Sequence, residues 1–229
     1  MISRVFRGVI MGPPGSGKGT ISSRIAQSFV VTHLSSGDLL RAQIQEGTIA
    51  GVQASQYIEK GELVPDDLVV QLILAELHTS LKNKNWLLDG FPSTVSQAKT
   101  LQKNFSLSCV LSLNVPDDVI IERVKNRWVH AGSGRTYHIQ FKPPKVPGLD
   151  DVTGEPLIQR QDDKPETVET RLRNYKKQST SVLEFYRERG LLQEFTGRES
   201  NEIWPRVQAY LSSLIDKKQD KSVKRLKIT

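Results

Sequence analysis

The sequence predicts an α/β fold with a central parallel sheet flanked by helices, a small helical lobe and an inserted lid. An apolar run at residues 9–11 leads into the glycine-rich stretch 12–20 and then into an amphipathic segment at 21–29. Strand, glycine-rich loop and helix in this order are typical of a phosphate-binding P-loop. Further apolar runs alternate with helical patterns, as they do in parallel sheets with crossover helices.

The remaining elements follow in chain order. Short apolar runs predict further strands at residues 30–34, 86–90, 107–115 and 191–195. A 3.6-residue periodicity predicts further helices at residues 39–46, 50–60, 66–81, 119–126, 165–189 and 203–215. Because ligands of parallel sheets bind at the carboxyl ends of the strands, we expect the P-loop and Asp89 to lie together.

The P-loop residues themselves predict nucleotide binding. Glycines let the backbone N–H groups wrap a phosphate closely, and the following helix N-terminus adds partial positive charge. Lys18 can then reach the outer phosphates, while Gly19 follows it and places the hydroxyl one position later, at Thr20. A glycine-rich turn that binds nothing is the alternative, but it leaves the lysine and the hydroxyl unexplained.

Residues 128–160 predict a lid. Glycine and proline become dense in this segment, and helical periodicity is lost. A stretch of this length without regular structure is uncommon inside a compact domain, and many such stretches close over a site.

Composition excludes several classes of function. No apolar run approaches the length of a membrane span, and the single cysteine, Cys109, excludes an intrachain disulfide framework. The net charge of +7 is concentrated at residues 217–229, which carry +5 and predict a disordered basic tail. No aromatic platform accompanies that tail, so we expect no nucleic-acid and no membrane partner.

Four motifs resemble the adenylate kinase family, in order and at matching intervals, and the resemblance spans residues 6–216. They are GPPGSGKGT at 12–20, SSGDLLR at 35–41, DGFP at 89–92 and RQDD at 160–163. Three further motifs are most similar to the mitochondrial GTP:AMP phosphotransferase branch of that family. They are RWVH at 127–130, DVTGEPL at 151–157 and NEIWP at 201–205.

The resemblance implies a division of the chain into a core and two inserted units. The core P-loop kinase domain would comprise residues 1–35, 66–127 and 161–216. Residues 36–65 would form the AMP-binding lobe and residues 128–160 the lid. The implied activity is Mg²⁺-dependent, reversible phosphoryl transfer from a nucleoside triphosphate, with GTP favoured, to AMP.

The resemblance also implies site residues, because phosphoryl transfer depends on positioning and on charge neutralisation. The catalytic set is Lys18, Arg127, Arg160, Arg171, Asp162 and Asp163. The donor nucleotide would contact Gly15, Ser16, Gly17, Lys18, Gly19, Thr20, Arg123, Arg127, Thr136, Tyr137 and Ser200. AMP would contact Ser36, Arg41, Glu62, Leu63, Val64, Gly90, Phe91, Pro92, Ser93, Gln97, Arg160 and Arg171.

Two metal expectations accompany these assignments. Thr20 and Asp89 would hold Mg²⁺ through water, since this ion keeps several waters and binds chiefly through substrate phosphates. Relatives that bear zinc resemble the lid at four positions, occupied here by His130, Ser133, Asp150 and Thr153. One histidine, one carboxylate and two hydroxyls are poor ligands for tetrahedral zinc, so we expect a polar network and no structural zinc.

The sequence departs from the family at Ser93, where an arginine would grip the AMP phosphate. A nucleotide-binding protein of low activity is therefore an alternative to an active kinase. An adenylate kinase that uses ATP is another, because the GTP preference rests on resemblance near residues 197–200. A pyrimidine nucleotide kinase fits badly, since those relatives have short lids.

The first residues carry a possible address. No acidic residue precedes Asp38, whereas Arg4, Arg7, Lys18 and Arg24 are basic, a composition typical of mitochondrial targeting. A basic strand end without a targeting role accounts for the same pattern. With the resemblance, we expect a monomer in the mitochondrial matrix with an uncleaved address, because the first strand leaves little to remove.

Overall fold

The sheet confirms the predicted α/β class. A computed structural model describes residues 5–139 and 141–226. Its strands are β1 Arg7–Met11, β2 Thr32–Ser35, β3 Trp86–Asp89, β4 Cys109–Asn114, β5 Arg127–Val129, β6 Thr136–His138 and β7 Leu192–Thr196. Five of them form a parallel sheet in the order β2-β3-β1-β4-β7, and β5 pairs with β6 in a separate antiparallel hairpin.

Helices connect the parallel strands, as the alternating pattern predicts. They are α1 Lys18–Phe29, α2 Ser36–Gln45, α3 Ile49–Lys60, α4 Asp66–His78, α5 Val95–Asn104, α6 Asp117–Lys125, α7 Pro165–Arg187 and α8 Ser200–Leu226. A short 3₁₀ turn, Gln161–Asp163, precedes α7. Because β1 lies between β3 and β4, the P-loop that follows β1 is placed at the middle of the sheet edge.

Two apolar clusters cover the two faces of the sheet. Successive side chains of a strand point to opposite faces, so Val9 and Val110 join one cluster while Ile10 and Leu111 join the other. The first cluster packs against α4, α5 and α7, and the second packs mainly against α1, α6 and α8. Each fully buried aliphatic side chain contributes about 1.5–3 kcal/mol. This double burial holds the strand ends in place.

The last helix is longer than the sequence predicts. It runs from Ser200 to Leu226 instead of residues 203–215, so residues 217–226 are helical where a disordered tail is predicted. The stretch 216–226 contains no glycine or proline and is rich in lysine, a good helix former. Its charge is therefore compatible with helix continuation. Residues 227–229, also assigned to the tail, lie outside the described residues.

The predicted lid, residues 128–160, contains regular structure that the sequence does not reveal. Strands β5 and β6 pair through Trp128 and Tyr137, and bridges outside the hairpin join Val129 to Ile158 and Leu149 to Pro156. Three-residue strands are too short for an alternating pattern to be recognised. The sequence pattern likewise does not predict where helix α5 begins and ends.

The sequence predicts that Val30 begins a strand, and this is wrong, because Val30 ends α1. Its φ of 50° and ψ of 54° are left-handed, a conformation that favours glycine. The side chain is 86% exposed, so its β-branch has little packing to offset the strain. The strand that was expected at residues 30–34 accordingly starts two residues later, at Thr32.

Replacing Val30 by glycine should stabilise the protein. A left-handed conformation costs an L-residue about 1–2 kcal/mol, and glycine removes that cost at the price of some unfolded-state entropy. We expect Val30→Gly to raise the Tm by about 2–4 °C, measured by calorimetry. The control is Val52→Gly, at an exposed position inside α3, where the same change should lower the Tm. A lower Tm for Val30→Gly would contradict the prediction.

Candidate functional site

The predicted site residues meet in one cleft of about 1000 Å³ at the carboxyl ends of the parallel strands. It is bounded by the P-loop, by α2 and residues 61–64, by the end of β3 and by the lid. Of the predicted residues, Ser16 and Asp163 do not line it. Ser16 is buried and its N–H donates to the carbonyl of Pro13 at 3.2 Å. Asp163 lies behind the cleft, where it holds an arginine.

Glycine is required at two P-loop positions. Gly15 and Gly17 have φ values of 78° and 88°. A Cβ atom at Gly15 would lie 2.6 Å from Val124, and one at Gly17 would lie 2.6 Å from the Oγ of Ser200. Only glycine combines this conformation with so little room. The loop is thereby packed tightly between α6 and the start of α8.

Lys18 lies inside the loop that it follows. Its Nζ donates to the carbonyls of Gly12 at 2.7 Å and Pro13 at 2.9 Å. Burial lowers the pKa of Lys18 to about 8, and the nearby carboxylate of Asp89 opposes that shift. An anionic ligand at the loop would favour the charged form further, because opposite charges at short range raise a lysine pKa.

Two arginines of the cleft are held by the pair of aspartates next to the lid. Nε of Arg127 donates to Asp163 Oδ2 at 2.7 Å, and a second nitrogen of the same guanidinium donates to Oδ1. Arg171 Nη1 lies 2.9 Å from Asp162 Oδ2 and 3.5 Å from Asp163 Oδ1. Bidentate and shared carboxylates fix the plane of a guanidinium. Both arginines are therefore oriented by the protein itself.

Arg160 is held less completely. Its nearest carboxylate contact is Asp38 Oδ1, at 3.5 Å, and its buried Nε has no hydrogen-bond partner. Burial and the charges of Arg41 and Arg127 together lower the pKa of Arg160 to about 10. A buried cation with an unused donor costs free energy unless an anion pairs with it. Arg160 is thus suited to a phosphate oxygen.

Asp38 joins the predicted lid to the predicted AMP-binding lobe, and the sequence does not predict it as a site residue. It forms ion pairs with Arg41 and Arg160, and a Cβ at Gly134 of the lid would lie 3.1 Å from its Oδ2. Burial raises the pKa of Asp38, but the charge and hydrogen bond of Arg41 outweigh it, and the net shift is downward. The only sequence signal is its place in the SSGDLLR motif.

The carboxylate that ends β3 has an unpredicted neighbour. Asp89 is 7% exposed, and its Oδ2 lies 3.4 Å from Nε2 of His33 on β2. That imidazole nitrogen is buried and has no hydrogen-bond partner. His33 also lines the cleft, as does Thr20. The sequence signal for His33 would have been its place near the end of β2, because β2 pairs in parallel with β3, the strand that ends at Asp89.

The part of the cleft that is predicted to bind AMP contains Ser93 and Gln97. The Ser93 hydroxyl donates to the carbonyl of Gly90 at 3.3 Å, and the Ser93 N–H donates to Gln97 Oε1 at 2.6 Å. Gln97 is 2% exposed, yet its side chain lines the cleft. The positive charge on this side comes from Arg41 and Arg171, which line the same cleft.

The lid is organised around Asp150. This buried carboxylate accepts from Arg135 at 2.8 and 2.6 Å, from Tyr137 Oη at 2.9 Å and from Thr153 Oγ1 at 3.0 Å. Hydrogen bonding to Arg135 is the main reason why the pKa of Asp150 lies well below its usual range. His130 Nδ1 lies 2.7 Å from the Oγ of Ser133. The four zinc-equivalent positions therefore come together as a hydrogen-bonded network.

Arg123 lies at the end of the cleft that is predicted to bind the donor nucleotide. It donates to the carbonyl of Arg198 at 2.6 Å, and its guanidinium lies 5.5 Å from the ring centroid of Phe141. Thr136, Tyr137 and Ser200 also line this end of the cleft. Phe141 was not predicted, because a lone aromatic in a proline-rich segment carries no specific signal. A cation and an aromatic ring therefore face each other at this end of the cleft.

Two absences hold for the described part of the chain. No helix there is long and apolar enough to cross a membrane. Among the same residues, no group of three or more histidine, cysteine or carboxylate side chains is arranged to hold a metal ion.

Comparison with known proteins yields one family. A family model described as adenylate kinase matches residues 10–191. A Drosophila melanogaster protein named GTP:AMP phosphotransferase, mitochondrial, is 48% identical over 216 residues, which cover 94% of this chain and 100% of that protein. A Saccharomyces cerevisiae protein of the same name is 43% identical, covering 91% and 93%. Adenylate kinase 4 of Oryza sativa subsp. japonica is 43% identical, covering 89% and 86%.

The lid should contain no structural zinc. Two of the four candidate ligands are hydroxyls, and the carboxylate of Asp150 already accepts several hydrogen bonds. Elemental analysis of protein purified without chelator should find far less than one zinc per chain, and EDTA should leave the Tm unchanged. Stoichiometric zinc, or a Tm that falls on chelation, would contradict this expectation.

Proposed function

The chain belongs to the adenylate kinase family, and from that premise we propose that it transfers the terminal phosphoryl group of GTP to AMP. A nucleoside monophosphate kinase must gather two highly charged nucleotides in one water-poor cleft. The observation that carries the proposal is the convergence of five cationic side chains on one cleft beside a P-loop. They are Lys18, Arg41, Arg127, Arg160 and Arg171.

The donor phosphates would bind at the P-loop. Backbone N–H groups of the loop and the N-terminus of α1 attract them, and Lys18 can exchange its two carbonyl contacts for phosphate oxygens. Burial lowers the pKa of Lys18 to about 8, so a polyanion bound beside the lysine would stabilise its charged form. We therefore assign Lys18 to the outer phosphates of the donor.

Arg127 and Arg171 would act on the phosphoryl group in transfer. Their guanidinium groups are oriented by Asp163 and Asp162, so little reorganisation is needed as negative charge develops. Arg160 has an unused donor and can bind a phosphate oxygen directly. Removal of one such preorganised donor typically lowers turnover by about 10²–10³-fold. The lid would exclude water before transfer, which prevents hydrolysis of the donor.

Magnesium forms part of the proposal. Thr20 and Asp89 supply a hydroxyl and a carboxylate oxygen at the cleft, the ligand types that Mg²⁺ prefers. The closest ion-pair contact of Asp89 is the 3.4 Å approach of His33, so its oxygens remain able to accept hydrogen bonds from water. These residues fit water-mediated contact with a magnesium nucleotide. The bound ion would neutralise charge on the phosphates.

The acceptor would lie between residues 36–65 and the core, and we assign residues 128–160 to the closing lid. Arg41 and Arg171 would orient the AMP phosphate, and Gln97 would read the base. In the described conformation Arg160, the last residue of the assigned lid, already forms an ion pair with Asp38 of the acceptor lobe at 3.5 Å. This contact supports a closure that brings both nucleotides out of water.

A mitochondrial location is a further proposal, supported by the names of two relatives. Part of the predicted address, residues 1–4, lies outside the described residues, and Phe6 is buried in the core. Removal of a longer segment would therefore damage the fold, which favours an uncleaved address to the matrix. Protease protection in isolated mitochondria tests the location, and light scattering tests the proposed monomer.

Donor competition at fixed AMP tests the proposed reaction. With Mg²⁺ present, kcat/KM should be higher for GTP than for ATP, and the products should be GDP and ADP. Equal efficiency with ATP would contradict the GTP preference but leave the kinase activity intact. Nucleotide binding without turnover, at saturating AMP, would instead support the protein of low activity that Ser93 suggests.

Restoring the family residue with Ser93→Arg should improve the capture of AMP. A charge-assisted arginine–phosphate contact contributes about 1.5–3 kcal/mol, which corresponds to roughly 10- to 150-fold in affinity. The KM for AMP should fall on that scale, and the KM for GTP should change little, because the donor binds at the P-loop. Steady-state kinetics with each substrate varied in turn measure both.

The matched control for this experiment is Ser96→Arg. Ser96 lies on α5, three positions after Ser93; it is exposed and does not line the cleft, so an arginine there adds the same charge outside the site. If Ser93→Arg leaves the KM for AMP unchanged, or if Ser96→Arg lowers it equally, the assignment of the phosphate position near residue 93 is wrong.

A further inference from the structure

The side-chain amide of Gln97 is hydrogen-bonded to a donor on one side and to an acceptor on the other. Its Oε1 accepts from the N–H of Ser93 at 2.6 Å, and its Nε2 donates to Oδ1 of Asp66 at 2.7 Å. Gln97 is buried, with 2% of its surface exposed, but it lines the acceptor side of the cleft. Both partners therefore act on a side chain that can touch a ligand.

These two contacts specify a single orientation of the amide. A carboxylate accepts hydrogen bonds and donates none, whereas a peptide N–H only donates. Rotating the amide of Gln97 by 180° would set Oε1 against Asp66 and the NH₂ group against the Ser93 N–H. Both contacts would then be lost, and buried polar groups without partners are costly. The orientation is thus determined by the chemistry of the two neighbours.

Asp66 is itself fixed in place. Its Oδ2 accepts from the Thr94 hydroxyl at 2.6 Å, and it stands at the N-terminus of α4, where partial positive charge favours a carboxylate. The Thr94 hydroxyl also accepts from the N–H of Gln97 at 3.2 Å and caps α5. Asp66, Thr94 and Gln97 therefore form a closed set of hydrogen bonds between two helices.

The locked amide leaves one donor and one acceptor unused. These are the second hydrogen of Nε2 and the second lone pair of Oε1. Adenine offers the complementary pair, because N1 accepts and the 6-amino group donates. A 6-oxopurine carries a hydrogen on N1 and an acceptor at O6, so it matches only the rotated amide.

We propose that Asp66 is a positioning residue that locks Gln97 and so selects adenine over 6-oxopurines in the acceptor. The inference rests on the proposed function, in which AMP is the acceptor and Gln97 faces its base. Asp66 does not line the cleft, and it acts only through the amide that it orients. By fixing the orientation of the amide, Asp66 makes Gln97 complementary to adenine and not to a 6-oxopurine.

The experiment replaces Asp66 by asparagine. An asparagine has nearly the same shape, but its amide can donate to a rotated Gln97 as well as accept from the native one. With GTP as donor, kcat/KM is measured for AMP and for inosine monophosphate, which differs from AMP only at the 6-position and N1. Calorimetric binding of each monophosphate without donor gives a second readout, independent of turnover.

We expect the preference for AMP over inosine monophosphate to fall by about tenfold or more in Asp66→Asn. Two hydrogen bonds to the base are at stake, and discrimination that rests on such bonds is large. The loss should combine weaker AMP binding with stronger inosine monophosphate binding, while the KM for GTP stays constant. Asp66→Ala, which removes the acceptor altogether, should lower the preference in the same direction.

The control is Asp67→Asn, which removes the same charge from the same helical turn. Asp67 is exposed and outside the cleft, so its loss should leave the preference unchanged. If Asp66→Asn slows both acceptors equally, or changes neither, Asp66 only ties two helices together and the proposal is wrong. A wild-type protein that does not phosphorylate AMP would refute the proposed function, and this inference with it.

Discussion

Mutual repulsion among the guanidinium groups of the cleft is the constraint on which the rest of the site depends. Two unit charges about 8 Å apart repel by about 2 kcal/mol at an effective dielectric constant near 20. Several cations therefore share a cleft only if carboxylates stand between them. Asp162 and Asp163 serve Arg171 and Arg127, and Asp38 serves Arg41 and Arg160. Because Arg160 ends the proposed lid, its ion pair with Asp38 would couple charge balance to the proposed lid closure.

The fold brings these groups together through strand order. Parallel strands end at the same edge, so the P-loop after β1 and Asp89 at the end of β3 are neighbours although they are at least 69 positions apart in the chain. Burial on both faces keeps the strands from shifting. The 3₁₀ turn Gln161–Asp163 then sets the aspartates at the junction of the lid and α7. The core determines where the site residues lie, and the loops attached to the core carry the side chains that would bind the ligands.

Local patterns in the sequence could predict much of this, and non-local pairs could not. The P-loop, the strands and most helices are visible because period and turn chemistry lie within short windows. Asp38 pairs with Arg160, 122 positions away, and Asp66 bonds to Gln97 across 31 positions, and neither pairing leaves a mark in composition or spacing. Val30 was mistaken for a strand residue because β-branched residues rarely adopt positive φ. The tail was predicted to be disordered because of its charge, but its residues have good helix propensity and 217–226 continue α8.

Residue 93 has two separate roles in the proposed acceptor site, one for its side chain and one for its backbone N–H. In the proposed site its side chain, a hydroxyl in this chain, would decide how strongly the acceptor phosphate is held, whereas its backbone N–H donates to Oε1 of Gln97. Affinity for the phosphate can therefore fall without any loss of base selection, because the lock on Gln97 depends on Asp66 and on the backbone alone. Selectivity is a difference between two affinities, so a uniform loss of phosphate contact cancels from it. A kinase with Ser93 is consequently expected to bind its acceptor weakly and still to choose it correctly.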